Sequence, residues 1–204
     1  GLEELYPEAR CSLDHQDAYQ LLVATILSAQ CTDERVNKVT PALFERFPNP
    51  ASLAEAESSE LEGLIRSTGF FRNKAKSLLG MARGVMEKHG GEIPADLKSL
   101  VKLPGIGRKT ANVALGDVFE VPGIVVDTHV GRLSLRLGFT ELKDPVKVEI
   151  ALMEIIPKKR WTKFGHQMIL HGRAVCAARK PRCGQCMLLS YCPFGQENQV
   201  GEKS

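Results

Sequence analysis

The chain is 204 residues long, 43% hydrophobic and 25% charged, with a net charge of +3. That length holds one large or two small domains, and that apolar fraction builds a core without help from disulfides. No apolar run reaches the roughly 18 residues that cross a bilayer; the longest, AYQLLVATILSAQ at 18–30, is interrupted by polar positions. No signal-peptide pattern is visible, so an intracellular, soluble protein is expected.

Read in chain order, the elements are helices. Apolar positions recur at helical spacing over 17–31, 36–47, 58–66, 73–88, 96–102, 109–118, 128–137, 145–155 and 162–175. Proline and glycine punctuate them, at Pro48, Pro50, Gly69, Gly90, Gly91, Pro104, Gly105, Pro122, Gly123, Gly138 and Pro157. GIVVD (123–127) reads as a single short strand. Strands and helices do not alternate, and no repeat or low-complexity tract is detectable, so the expected class is all-α.

Charge is distributed unevenly. Residues 1–62 carry twelve acidic and four basic side chains, whereas 155–196 carries eight basic ones and no carboxylate. A basic segment in a nearly neutral chain is the footprint of a polyanion binder. A solvated charged face explains the same count equally well.

Two cysteines, Cys11 and Cys31, stand alone and read as core or surface thiols. Cys176, Cys183, Cys186 and Cys192 form a C-x6-C-x2-C-x5-C pattern. In a reducing compartment four thiols at this spacing are metal ligands rather than disulfides. One close pair flanked by two single cysteines favours a four-iron cluster. Zinc, which usually takes two close pairs, is the alternative.

The stretch from 97 to 118 reads as helix, hairpin, helix. LKSLVKL (97–103) is a short amphipathic helix, and PGIG (104–107) is a tight turn whose glycines allow positive φ and close backbone approach. The N–H groups of Gly105 and Gly107, at a helix N-terminus, would receive a phosphate oxygen without reading a base; an ordinary αα-turn is the plain alternative. Arg108 and Lys109 then stand where the helix macrodipole disfavours positive charge. A DNA phosphate would neutralise Arg108. The Lys109 ammonium is disfavoured there, which makes a neutral, nucleophilic amine accessible; a second phosphate contact or a solvated lysine fits the pattern too.

Three motifs, LPGIGRKTANVAL (103–115), VDTHVGRL (126–133) and the four cysteines, stand in the order and spacing of the endonuclease III family. The chain resembles that family from LLVATILSAQCTDERVNK (21–38) to Cys192. The resemblance implies a bifunctional DNA glycosylase and abasic-site lyase of base excision repair, with the helix-hairpin-helix glycosylase fold. It implies a six-helix barrel domain over 11–121 and a helical iron–sulfur cluster domain over 1–10 and 122–204. The implied partner is double-stranded DNA carrying oxidised pyrimidines, such as thymine glycol, or abasic sites. The implied enzyme is a monomer of bacterial type, cytoplasmic and nucleoid-associated, with no membrane partner.

Residue by residue, the resemblance makes Lys109 the nucleophile and Asp127 the essential carboxylate; by pattern alone Asp127 is a helix N-cap. It makes Cys176, Cys183, Cys186 and Cys192 the ligands of a [4Fe-4S] cluster that shapes a loop bearing Arg179, Lys180 and Arg182. DNA would be contacted by that loop and by Gly105, Gly107 and Arg108 of the hairpin. Gln30 would enter the stack vacated by a flipped nucleotide, and Phe70 would wedge from the other side. The family often has an aliphatic residue at the latter position. Without the family, Gln30 reads as a polar residue ending a buried helix and Phe70 as a core aromatic.

Three rivals are weighed against this. The adenine-mismatch branch uses a carboxylate in the early helix and lacks the hairpin lysine, whereas here no Asp or Glu lies between Asp17 and Asp33 and Lys109 is present. A non-catalytic DNA-binding module would keep its affinity without Lys109. A redox carrier leaves the hairpin and the basic loop unexplained.

Overall fold

A computed structural model describes residues 1–201, and among these every regular element is helical. In chain order the helices are α1 (Leu2–Leu5), α2 (Ala18–Leu27), α3 (Asp33–Arg46), α4 (Pro50–Ala54), α5 (Ser58–Ile65), α6 (Phe71–His89), α7 (Leu97–Leu100), α8 (Arg108–Asp117), α9 (Thr128–Arg136), α10 (Pro145–Ile155), α11 (Trp161–Ala174) and α12 (Pro193–Gly201). Single 3₁₀ turns lie at Arg66–Thr68, Lys158–Arg160, Cys183–Gln185 and Leu189–Tyr191. The chain divides into two compact units, Cys11–Val121 and Gly1–Arg10 with the residues from Pro122 onward.

The unit Cys11–Val121 is built on α2. Asp17 caps this helix by accepting the Gln20 N–H at 2.8 Å. Leu21, Leu22, Val23, Ala24 and Leu27 have no exposed surface, and α3, α6 and α8 pack on this helix. Truncating Leu22 to alanine removes about 2–5 kcal/mol. The helix stops at Leu27, short of the expected 31, because the chain turns back: Ser28 donates its hydroxyl to the Thr25 carbonyl, and the Cys31 N–H bonds to the Ser28 carbonyl. Gln30 is thereby left exposed.

Periodicity does not reveal α1, α4 or α12. The first two are four and five residues long, too short to show a period, and α4 and α12 both open on proline. At the first helical position the missing N–H of proline is no loss. Asn49 and Ser52 close a reciprocal capping box over α4, so Pro50 starts a helix rather than breaking one.

One face of α6 seats the hairpin. A Cβ on Gly80 would lie 2.7 Å from Pro104 Cβ, and one on Gly105, whose φ is +78°, would lie 2.6 Å from Ser77 Cβ. Ser77, Gly80 and Gly84 share a face at helical spacing, and the hairpin approaches because that face has almost no side chains. Leu100, Leu103 and Ile106 are buried beneath the turn and fix it from the other end.

The second unit has its core in Ile124, Val130, Leu133, Val148, Leu152, Phe164 and Met168, drawn from α9, α10, α11 and the segment before α9. That segment contains GIVVD, and the expected strand is absent: residues 120–127 carry no strand and no ladder among the described residues. Their apolar character is satisfied by packing on α11, where a Cβ on Gly165 would sit 3.5 Å from the Val125 nitrogen. The N-terminal segment is tied to the same helix. Glu3 accepts from Arg160 at 2.8 Å, from Gln167 at 2.9 Å and from Lys163.

Candidate functional site

In the unit Cys11–Val121, Gln30, Phe70 and Gly105 line one recess together with Asn73, Lys74 and Thr110. Phe70 is 63% exposed, which overturns the core-aromatic alternative. Gln30 and Phe70 both hold left-handed backbone, at φ +52° and +47°. Such strain costs about 1–3 kcal/mol per non-glycine residue and survives only where its surroundings over-determine it.

The hairpin delivers α8 directly beside this recess through Thr110. Gly107 is its N-cap, in extended backbone, and no side chain caps the helix. Nothing lies within 4 Å of a Cβ built on Gly107, so neither packing nor φ demands glycine there. The first-turn N–H groups of α8 carry the positive end of the helix dipole. Lys109, at the second helical position, is exposed and makes no hydrogen bond or ion pair among the described residues.

Asp127 lies in the other unit, half-buried at the N-terminus of α9. Its Oδ1 accepts the N–H groups of His129 at 2.8 Å and Val130 at 2.9 Å. Both bonds use one oxygen, and Oδ2 accepts none among the described residues. The cap and a free charged oxygen coexist in one carboxylate. Burial, aided by Arg132 and Arg173, pushes the adjacent His129 below its ordinary value against the opposing pull of Asp127, so the imidazole is neutral near pH 7.

The four patterned cysteines line a single recess. Burial raises the Cys186 and Cys192 thiols, and the neighbouring cysteines add to this as like charges. Thiols so placed ionise readily only against a cationic partner. Among the described residues no three His, Cys, Asp or Glu side chains converge on one ion position. The donor set is soft and four-fold.

Side chains that the sequence does not single out brace this recess. Arg136 donates to Cys176 Sγ at 3.2 Å, to the Ala177 carbonyl at 2.8 Å and to the Ala178 carbonyl at 3.0 Å, and its guanidinium lies 4.3 Å from the Phe194 ring centre. Arg132 donates to the Cys176 carbonyl at 2.8 Å. His171 Nδ1 is 3.2 Å from the Tyr6 hydroxyl and its Nε2 is 3.4 Å from Cys186 Sγ. Arg132 and Arg136 are four apart on α9, and that spacing toward the cysteines is their only sequence signal. On the loop itself Arg179 and Lys180 are exposed, Lys180 at φ +51°. Arg182 is exposed too, yet its guanidinium donates to the Ala174 carbonyl, so it also ties the loop down.

Comparison with known proteins agrees in family and fold. Residues 23–158 match the family model described as HhH-GPD superfamily base excision DNA repair protein. Endonuclease III of a Synechocystis species is 57% identical over 96% of this chain and 90% of its own, and that of Bacillus subtilis is 47% identical over 95% and 89%. A solved structure of a trapped endonuclease III–DNA covalent intermediate, in an estranged-adenine complex, superposes with a TM-score of 0.92 at 46% identity, covering 97% of this chain and 93% of that one.

Proposed function

The chain belongs to the HhH-GPD superfamily of base excision DNA repair proteins, on its endonuclease III branch, and from that premise we propose that it removes oxidised pyrimidines from duplex DNA and cleaves the resulting abasic site by β-elimination. It is a DNA glycosylase with lyase activity. The observation that carries the finer reading is Lys109, exposed in the first turn of an uncapped α8 behind a hairpin that offers backbone N–H groups to a phosphate. A relative captured as a covalent protein–DNA intermediate supports an amine nucleophile.

In this reading the target nucleotide leaves the stack, because its glycosidic carbon is shielded within it. The Lys109 amine attacks C1′, the bond from C1′ to the base breaks, and the base departs with the glycosidic electron pair. Ring opening gives a Schiff base between Nζ and C1′. Loss of the C2′ proton then breaks the C3′–O bond and expels the 3′ phosphate as the 5′-phosphate end of the downstream strand; one water hydrolyses the C=N bond, returning the Lys109 amine and leaving an unsaturated aldehyde on the upstream strand. Asp127 supplies negative charge, through the Oδ2 not used in capping, as positive charge develops on the sugar, and assists proton transfer. Gln30 and Phe70 fill the space that the nucleotide vacates, and Gly105, Gly107, Arg108, Arg179, Lys180 and Arg182 engage backbone phosphates without reading sequence.

Cys176, Cys183, Cys186 and Cys192 would hold a [4Fe-4S] cluster. Their four thiols line one recess, and one close pair flanked by two single cysteines suits such a cluster. When bound, it would cross-link the loop through its four thiolates, and it would supply no chemistry to the reacting sugar. No described helix is long and apolar enough to cross a membrane, in keeping with a monomer that works on DNA in the bacterial cytoplasm.

The test is a duplex with one thymine glycol in a defined place. Release of the modified base together with a 3′ unsaturated aldehyde end is expected. Base release that leaves an intact abasic strand, or activity confined to adenine opposite a damaged purine, would replace this reading with a monofunctional or mismatch-directed one.

A further inference from the structure

The buried Lys74 has no part in the chemistry described above, yet it touches both loops that carry strained residues. Its side chain is 5% exposed, and its Nζ donates to the Leu27 carbonyl at 2.7 Å and to the Thr68 carbonyl at 2.8 Å. Leu27 is the last residue of α2, three before Gln30. Thr68 ends a 3₁₀ turn, two before Phe70. Both carbonyls lie at the negative end of a helical segment, where a cation is favoured. Burial works against the charge and holds the Lys74 ammonium below its ordinary value. A buried cation is retained at such a site only when its donors are needed.

No side-chain hydrogen bond local to either loop spans the two: Thr32 caps α3 after the first, and the Ser28 and Thr68 hydroxyls each bond back within their own turn. Phe70 stands at the N-cap position of α6 without a side-chain cap, and Gly69 before it is itself at φ +71°. Left-handed backbone at Gln30 and Phe70 needs an outside tether, and the tether that reaches both is the Lys74 ammonium. Lys74 also lines the recess that the two residues face. We propose that Lys74 is a positioning residue for nucleotide extrusion: by bridging the carbonyls of Leu27 and Thr68 it fixes the spacing between Gln30 and Phe70, so that both enter the opened stack together. The proposal rests on the glycosylase reading above, and it concerns the opening of the duplex rather than the attack by Lys109.

Lys74→Met preserves length and removes the donors. Single-turnover excision should fall about ten-fold or more on thymine glycol opposite adenine, and by no more than about two- to three-fold on thymine glycol opposite an abasic site, where little unstacking is needed. Adding Phe70→Ala in the Lys74→Met background should cost little further, because the wedge is already misplaced. Lys74→Gln, with two N–H donors and no charge, should restore part of the paired activity. Equal slowing on both substrates, or fully additive losses, would overturn the proposal, as would failure of both variants to fold, which marks a purely structural lysine. Wild-type protein inactive on both substrates would instead sink the glycosylase reading. Amide exchange at residues 28–31 and 69–71 then reads the tether itself: faster exchange in Lys74→Met is expected, and unchanged exchange contradicts it.

Discussion

The hairpin of one unit and the cysteine loop of the other are held in place by opposite means. The hairpin is fixed from within the chain, by a bare face on α6, by glycine at a left-handed position and by buried Leu100, Leu103 and Ile106. The cysteine loop is fixed from outside its own backbone, by Arg132 and Arg136 donating to the successive carbonyls of Cys176, Ala177 and Ala178. A hairpin that folds by packing fails through steric change. A loop held by donors and ligands fails when one of them is withdrawn.

The largest effect should come from Asp127, which caps α9 and for which a catalytic role is proposed. Asp127→Asn keeps an oxygen to cap α9 but removes the charge on Oδ2. Base excision should slow about 10²–10³-fold, with the thermal midpoint changed by no more than a few degrees. Slowing matched by an equal loss of stability would reduce Asp127 to a cap.

The next effect sharpens the contrast between the units. Cys186→Ser withdraws one thiol from the shared recess, so the loop carrying Arg179 and Lys180 should loosen and DNA affinity should drop about ten-fold or more, with a shallower salt dependence. Amide exchange across the hairpin should not change. Loosening of both regions together would break the comparison.

Gly80→Ala probes the opposite case. The new methyl would meet Pro104 Cβ at 2.7 Å, so the hairpin must shift, at a cost of about 1–3 kcal/mol. Gly107→Ala meets nothing within 4 Å. It should leave stability unaltered and weaken DNA binding a few-fold, because a methyl would then stand where the backbone approaches a phosphate. Unchanged binding in Gly107→Ala would return PGIG to an ordinary turn.

Much of this was legible from the sequence, and the illegible remainder has physical causes. Helical period gave the long amphipathic helices, since each buries a stripe. It missed α4 because Pro50 signals an end as readily as a start, and it took GIVVD for a strand because a buried extended run and a strand share composition. The roles proposed for Lys109, Asp127 and the cysteines are suggested by residue type and spacing alone. The site's positioning is not. Lys74, Gly80 and Arg136 act through partners distant in sequence, which no local pattern encodes.

The smallest effect concerns the N-terminal tie. Hydrogen bonds from Lys163 and then Gln167, with the charges of Lys163 and Arg160, hold Glu3 below its usual value of 4.5. A carboxylate so lowered contributes its tie fully above about pH 4.5 and loses it as pH falls through the depressed value. Amide exchange in residues 2–6 should therefore accelerate below that pH in the wild type, and Glu3→Gln should be fast at every pH. A wild-type profile flat to acid would remove the tie.

The most direct test of the central claim is borohydride trapping on a thymine glycol duplex, with the modified peptide identified by mass spectrometry. The account predicts an adduct on Lys109, absent in Lys109→Gln, with damaged-DNA affinity kept within a few-fold because one phosphate-facing cation among many is lost. An adduct on another residue, or one that persists undiminished in Lys109→Gln, would contradict it.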